Sequence, residues 1–371
     1  MRVMTAVPDI LFLQATGDLG GVEQVTRSLI AALARRGVRS QVAILFSDSF
    51  GYAQKHSGQY VFVGNGGQSM TINSLIAARR LLPLARRCRA IVATSPMTIV
   101  AAMLLSRLSG TPCAAWMHYD SAGIEHEFPE GMDLRARLVF NVVAPAVRRA
   151  CFVSADCASR FRQKHGLQEA ARDYVSIPNP FAVTGAIDER APGAEVRLLF
   201  IGRFCRAKQP EQAVLFAAEL ARLHQNFRLD LIGDGELRPL VEATIRAHPD
   251  VERHVCLLGA IPDAANRIAE YDALILTSGN EAWPTVALEA LSRHRPVFAF
   301  CCTPGPAEIL AHGGGEVSES TPAALAGRVS NAVFRREFQA DWAATDRFIA
   351  RHDPDAVAAQ WQRWLFGEAV A

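Results

Sequence analysis

Short apolar runs alternate with helical patterns along most of this chain, and the alternation runs twice. In the first series the expected strands cover 10–14, 41–46, 60–63, 90–94, 113–118 and 150–154. Several are apolar on both faces, as strands are when helices cover both sides of a parallel sheet. Expected helices fill the gaps at 21–36, 71–87, 96–108, 134–149 and 155–165. Strands that alternate with helices predict a doubly wound parallel sheet, an α/β fold. The series stops at Ile177-Pro178-Asn179-Pro180, followed by Thr184-Gly185 and Pro192-Gly193. Proline and glycine every few residues mark a linker.

The alternation then restarts. Strands are expected at 196–202, 228–233, 255–259, 273–277 and 296–300, with helices at 210–224, 237–248, 263–270 and 284–293. From Pro322 onward the pattern is helical throughout and ends in a helix over 353–366. A chain of 371 residues is too long for one ordinary core and fits two domains. The expected boundary separates residues 1–183 from 184–371, with terminal helices that pack back on the first domain. Two Rossmann-like domains facing a cleft would place the ligand there, beyond the carboxyl ends of the strands.

Composition narrows the function. With 50% hydrophobic and 20% charged residues, the chain can bury large cores, which excludes disorder as the main state. A formal net charge of +2 argues against a dedicated nucleic-acid binder. No apolar run reaches the ~18 residues of a membrane span, and the opening residues lack the pattern of a signal peptide. The eight cysteines are scattered without a CxxC, which reads as buried thiols in a reducing compartment. A cytoplasmic enzyme is expected. Its charge is uneven, however: residues 1–183 carry a net +8 and residues 184–371 a net −6. The densest basic stretch, 77–90, sets Arg79, Arg80, Arg86, Arg87 and Arg89 among leucines. As an amphipathic helix it is either a solvated face or a dock for an anionic membrane surface, at ~1 kcal/mol per basic residue.

The residues just after each strand carry the candidate chemistry. Thr16-Gly17-Asp18-Leu19-Gly20-Gly21 follows the first strand. Gly20 and Gly21 allow close backbone approach at a helix N-terminus, which attracts anions. The spacing is not GxGxxG, so a dinucleotide reading loses weight. Gly202-Arg203 ends another strand, and Lys208 stands at the next helix start; two fixed cations there suit a diphosphate. Gly233-Asp234-Gly235 suits a tight loop, with Asp234 read as the cap of the helix that follows. In Ser278-Gly279-Asn280-Glu281-Ala282-Trp283-Pro284-Thr285 the acid Glu281 lies on a loop before a helix. Glu289 lies inside that helix among Ala287, Leu288, Ala290 and Leu291. A carboxylate in so apolar a setting needs partners, and two vicinal ribose hydroxyls would supply them; two exposed helix acids are the bland alternative. His118 ends a strand and is either a half-buried structural histidine or a contact of a transferring group. His118, Glu125, His126 and Glu127 match no zinc spacing. Asp353-Pro354-Asp355 reads as a helix cap rather than a metal ligand pair.

Glu281 and Glu289, preceded by Ser278 and a strand with Asp272, resemble the signature of the family 4 retaining glycosyltransferases. Arg203 and Lys208, the Gly20-Gly21 turn, the linker at 177–179 and Gly233-Asp234-Gly235 fit the same pattern, which is dense from 197 to 308. Ala282 departs from it, since the family usually has glycine there. The resemblance implies the GT-B fold of two Rossmann-like domains. It implies an N-terminal domain that binds acceptor and a C-terminal domain that binds nucleotide sugar. It assigns Arg203 and Lys208 to the donor diphosphate, Glu281 to the donor sugar and Glu289 to the donor ribose. Gly20, Gly21 and Thr285 join the donor set, and His118 joins Arg203, Lys208 and Glu281 in catalysis.

The implied activity is retaining hexosyl transfer from a UDP- or GDP-linked sugar to a glycan or lipid-linked acceptor, with no metal and no other cofactor. Lipopolysaccharide or exopolysaccharide assembly is the implied setting, in the cytoplasm or peripherally on the inner face of the membrane. Two rivals remain open. A Rossmann oxidoreductase needs a GxGxxG and a following acid, neither of which stands clearly here. A catalytically inactive nucleotide- or glycan-binding protein is opposed by the intact Arg203, Lys208, Glu281 and Glu289.

Overall fold

The computed structural model describes residues 7–17, 20–48, 56, 58–64, 70–120, 134–168, 172–183 and 195–367. Glu125, His126, Glu127 and most of the linker between the two series lie outside the described residues. The chain divides into two compact units. Of the described residues, the first holds those up to 120, 134–182 and 351–367, and the second holds 183 and 195–350.

In the first unit the described strands are β1 (Ile10–Thr16), β2 (Ser40–Ser47), β3 (Tyr60–Phe62), β4 (Ala90–Ala93), β5 (Cys113–Met117), β6 (Arg149–Phe152) and β7 (Asp173–Ser176). They form one parallel sheet in the order β3-β2-β1-β4-β5-β6-β7. Its helices are α1 (Gly21–Arg35), α2 (Met70–Ala85), α3 (Pro96–Ser109), α4 (Leu134–Leu138), α5 (Ala144–Ala146) and α6 (Ala155–Lys164). The central strands are buried on both faces, with Ile10, Leu11, Phe12 and Leu13 all at 0% exposure. That explains why they read as unbroken apolar runs.

The second unit has β8 (Val196–Ile201), β9 (Phe227–Ile232), β10 (Val255–Gly259), β11 (Ala273–Leu276), β12 (Val297–Phe300) and β13 (Gly315–Ser318). These are parallel in the order β10-β9-β8-β11-β12-β13. Its helices are α7 (Pro210–Ala221), α8 (Arg238–Ala247), α9 (Thr285–Leu291), α10 (Pro304–Leu310), α11 (Pro322–Val329) and α12 (Trp342–Ala350). The final helix, α13 (Pro354–Phe366), belongs to the first unit. Its Val357, Ala358 and Trp361 are buried in the core that β1, β2 and α1 build. The Trp361 ring lies 4.8 Å from that of Trp116 on β5. Asp353 caps α13, its Oδ1 accepting from the N–H groups of Asp355 and Ala356 at 3.0 and 2.9 Å.

Several expectations need correction. The helix expected over 134–149 is α4, a π-helical turn (Val139–Val143) and α5. It stops because Val147 turns extended and Arg149 to Phe152 pair with both β5 and β7. The basic helix expected over 77–90 is α2, which ends at Ala85, so Arg86, Arg87 and Arg89 lie beyond it. The tail from Pro322 is not wholly helical. After α11 comes a π turn (Ser330–Phe334), and then Arg336 adopts a left-handed φ of 57° and stops the helix. Strands β7 and β13 and helix α10 escaped the sequence reading because β7 runs straight into Ile177-Pro178, β13 opens on the third of three glycines, and α10 begins Pro304-Gly305-Pro306. The cysteines are not uniformly buried: Cys88, Cys151 and Cys157 are, but Cys301 is exposed and the other four are partly exposed.

Candidate active site

The second unit gathers its candidate residues on the loops that follow the central strands. β8 leads into residues 202–209, and β11 leads into residues 277–284. Backbone bonds lace these two loops together. Thr277 Oγ1 donates to the Gln209 carbonyl at 3.0 Å, and the Gly279 N–H donates to the Ala207 carbonyl at 2.9 Å. Gln209 holds a left-handed φ of 46° at the N-cap of α7, a conformation rarely adopted without cause. A third loop joins them. Phe204 N–H donates to Asp234 O, and Leu237 N–H donates back to Phe204 O, both at 2.9 Å. Gly233 permits this approach, because it holds a φ of 153° and a Cβ there would sit 1.9 Å from the Gly202 carbonyl oxygen.

Inside this lacing, the Lys208 ammonium meets the Glu281 carboxylate in an ion pair. Ser278 Oγ donates to the same carboxylate at 3.3 Å. The Glu281 backbone is clamped from a fourth loop. Thr303, which is 5% exposed, accepts from the Glu281 N–H at 3.2 Å and donates to the Glu281 carbonyl. Thr303 sits at the N-cap position of α10, yet its hydroxyl makes no capping bond; it holds Glu281 instead. Gly305 lets α10 come this close, since a Cβ there would lie 2.2 Å from the Ala282 carbonyl oxygen. Ala282 itself is buried and has no positive φ, so its methyl group brings no backbone strain.

Glu289 lies in α9, one half-buried carboxylate among buried Ala287, Leu288, Ala290 and Leu291. Burial pushes its pKa above the ordinary carboxylate value, and Arg293 pulls it partly back. Arg293 Nη1 also donates to the Glu289 carbonyl at 2.8 Å. Thr285 begins the same helix and is half-buried. Arg203 is exposed on the loop after β8. Asp234 does not cap α8. Its carboxylate accepts from the Gly235 N–H at 2.8 Å and pairs with Arg238 at 3.2 Å. Asp272 has a structural place, accepting from the Arg197 N–H at 2.7 Å where β8 and β11 begin.

In the first unit, Gly20 is the N-cap of α1 and Gly21 its first residue. Asp18 and Leu19 of that turn lie outside the described residues. His118 follows β5 on the face that carries Trp116, with ring centres 4.4 Å apart. Burial pushes its pKa down to about 3, so the imidazole is neutral at ordinary pH. Among the described residues its buried Nε2 has no hydrogen-bond partner, an orphan that a native structure ordinarily satisfies. Asp120, two residues on, is fully buried and receives Arg160 through both carboxylate oxygens at 2.9 and 3.2 Å, which fixes the chain leaving His118.

Sequence reasoning singles out Lys208 and Glu281 but not the Thr303 clamp. Its only local signal was a threonine before Pro304-Gly305-Pro306, which reads as an ordinary cap. Thr303→Val should lower donor turnover about tenfold, because a buried amide and carbonyl lose their partner. Thr303→Ser should restore it. Steady-state kinetics of both variants, beside their melting curves, check this; equal activity of Thr303→Val and wild type would remove the clamp from the account.

Among the described residues no group of three or more His, Cys, Asp or Glu converges to hold a metal ion. Comparisons with known proteins cover both alternating series. The family model for glycosyltransferase family 4 matches residues 19–184, and that for glycosyl transferases group 1 matches residues 187–347. The exopolysaccharide phosphotransferase SCO2592 of Streptomyces coelicolor is 30% identical over 243 residues, which cover 61% of this chain. The matched region spans 24% of that relative's length. The crystal structure of Anabaena Alr3699/HepE in complex with UDP and glucose is similar with a TM-score of 0.77 at 20% identity, covering 96% of this chain and 99% of that one. The lipopolysaccharide outer core galactosyltransferase WaaB, in its apo form, is similar with a TM-score of 0.74 at 18% identity, covering 97% and 99%. With one model on each alternating series and both sheets of the expected kind, the chain belongs to the family 4 glycosyltransferases of GT-B fold.

Proposed function

We propose that this glycosyltransferase moves a hexose from a nucleotide diphosphate sugar to a glycan or lipid-linked acceptor with retention of anomeric configuration. The first unit takes the acceptor and the second takes the donor. The observation that carries the reading is the Lys208–Glu281 pair, laced into three strand-end loops with Glu289 in the next helix. An ammonium has three donors. One engages Glu281, and two remain for oxygens of a diphosphate. Arg203, exposed on the same loop, adds a second cation. As the sugar leaves, negative charge grows on the diphosphate, and prepositioned cations lower that barrier. Glu281 accepts from donor-sugar hydroxyls, and Glu289 accepts from the two ribose hydroxyls. Thr285 joins the donor contacts of the second unit, and in the first unit the Gly20-Gly21 turn and the neutral His118 are assigned to substrate binding. The HepE structure holds UDP and glucose, which favours a uridine donor. Release of nucleotide from a panel of UDP- and GDP-hexoses by purified protein tests the reading. Release from one or two donors is expected, and release from none would overturn it.

The charge on the diphosphate is met by Arg203 and Lys208 in this account, so no metal is required. Activity is therefore expected to survive EDTA. Loss that added Mg²⁺ or Mn²⁺ restores would refute the metal-free mechanism.

The acceptor is proposed to lie on lipid, with the protein held peripherally at the inner face of the membrane by α2 and the arginines after it. Among the described residues no helix is long and apolar enough to cross a membrane. Arg79, Arg86 and Arg87 are exposed while Ala77, Ala78, Leu81 and Ala85 are buried. Arg80 is less free, donating to the Val63 carbonyl at 2.8 Å. Reversing Arg79, Arg86 and Arg87 to glutamate should release the protein from anionic vesicles while leaving nucleotide release from soluble donor intact. Binding should also weaken with salt, because screening limits the field to ~8 Å at physiological ionic strength. Sedimentation with phosphatidylglycerol vesicles checks both; a wild-type protein that ignores them at low salt would make the acceptor soluble.

A further inference from the structure

The first unit carries a groove at the end of its sheet where the strands begin, opposite the end that bears its candidate residues. His118 follows the carboxyl end of β5, whereas this groove opens where β5 and β6 begin. It measures about 560 Å³, within the ~300–1,000 Å³ of small-molecule sites. Met103 and Leu104 of α3 line it together with Pro112 and Val147. Arg107, Arg148 and Arg149 also line it, and of these Arg149 is already paired with Asp173 at 2.7 Å. Arg107 and Arg148 are exposed, and neither guanidinium has a hydrogen-bond or ion-pair partner among the described residues. The lining contains no acidic residue. A largely apolar lining with two unpaired guanidinium groups calls for a ligand with an apolar body and an anionic head.

The surroundings point to a membrane as its source. Leu108 on α3, and Leu138 and Val142 on α4 and the π turn, are exposed at 50, 49 and 58%. The π turn packs against α3, and α3 packs against α2. The groove thus belongs to the same helical layer as the arginines assigned above to an anionic surface. Exposed apolar side chains beside basic ones are what an interfacial surface presents to lipid.

We propose that this groove takes one acyl chain of an anionic membrane lipid, with Arg107 and Arg148 on its headgroup phosphate. The inference rests on the membrane reading above and adds to it a defined lipid site on the first unit. Full-length protein is irradiated on phosphatidylglycerol vesicles whose acyl chains carry a diazirine, and peptide mass spectrometry locates the adducts. Adducts are expected on the segments 103–113 and 146–149. Arg107→Glu with Arg148→Glu should lower that labelling at least about tenfold while donor hydrolysis stays unchanged. Leu104→Glu should do the same by placing charge in the apolar lining; the paired arginine variant changes only exposed side chains and keeps the test valid should Leu104→Glu not fold. Protein that never sediments with the vesicles would overturn the membrane reading. Protein that sediments and labels only around α2 would overturn the groove alone. Equal labelling from phosphatidylcholine vesicles would overturn the headgroup role of the arginines.

Discussion

Lys208→Ala should lower turnover of the best donor by about 10²- to 10³-fold, the usual cost of removing one prepositioned stabiliser of transition-state charge. The motive is the ion pair with Glu281 on a loop held by Thr277, Gly279 and Phe204. Because the diphosphate gains charge as the sugar leaves, the loss should fall mainly on kcat. Glu281→Gln should lose activity too, but in another way: the ammonium then lacks its carboxylate while the diphosphate site keeps its cation. Nucleotide affinity should therefore hold in Glu281→Gln and weaken in Lys208→Ala. Calorimetric titration with free nucleotide, beside initial rates, reads both. Equal kcat in Lys208→Ala and wild type would remove the lysine from the chemistry.

Glu289→Ala should raise the donor KM roughly ten- to a hundredfold, since hydrogen bonds to a charged group contribute ~1.5–3 kcal/mol. The carboxylate is set in an apolar helix, and its pKa is raised by burial. A diol acceptor works best ionised. Donor affinity should therefore fall on acidification with a midpoint above the ordinary carboxylate value of 4.5, and that step should vanish in Glu289→Gln. The stability consequence has the opposite sense. An acid with a raised folded pKa favours the fold while protonated, so its contribution is lost as pH rises from the ordinary value through the folded one. Glu289→Gln should therefore melt at or above the wild-type temperature at neutral pH while binding donor poorly. A mutant with wild-type donor KM would show that Glu289 is only a helix acid.

What the sequence exposes here follows from what each residue must do locally. β1, β8 and β11 are buried on both faces, so their apolar runs are plain. Lys208 is one of three lysines in the chain and sits just before a proline-started helix, so it stood out. Glu289 was legible because acids are rare among Ala and Leu at helix positions. β13 has only Gly315 to Ser318 to show and follows two glycines, so neither period is visible. Thr303 was hidden for a different reason: it meets Glu281 across 22 residues of chain, and such a contact leaves no local pattern. Asp234 was misplaced because a cap and an i,i+4 partner of Arg238 look alike in sequence. The apolar groove arises where α3 meets the starts of β5 and β6, a juxtaposition that only the fold creates.

The central claim is retaining transfer of a hexose from a nucleotide diphosphate donor bound around Lys208, Glu281 and Glu289. Proton NMR of the sugar first released from an α-linked UDP-hexose, recorded before mutarotation, tests it most directly. The account predicts that nucleotide release is accompanied by the α-anomer in wild type and that both are lost in Lys208→Ala. Release of the β-anomer, or release undiminished in Lys208→Ala, would contradict it.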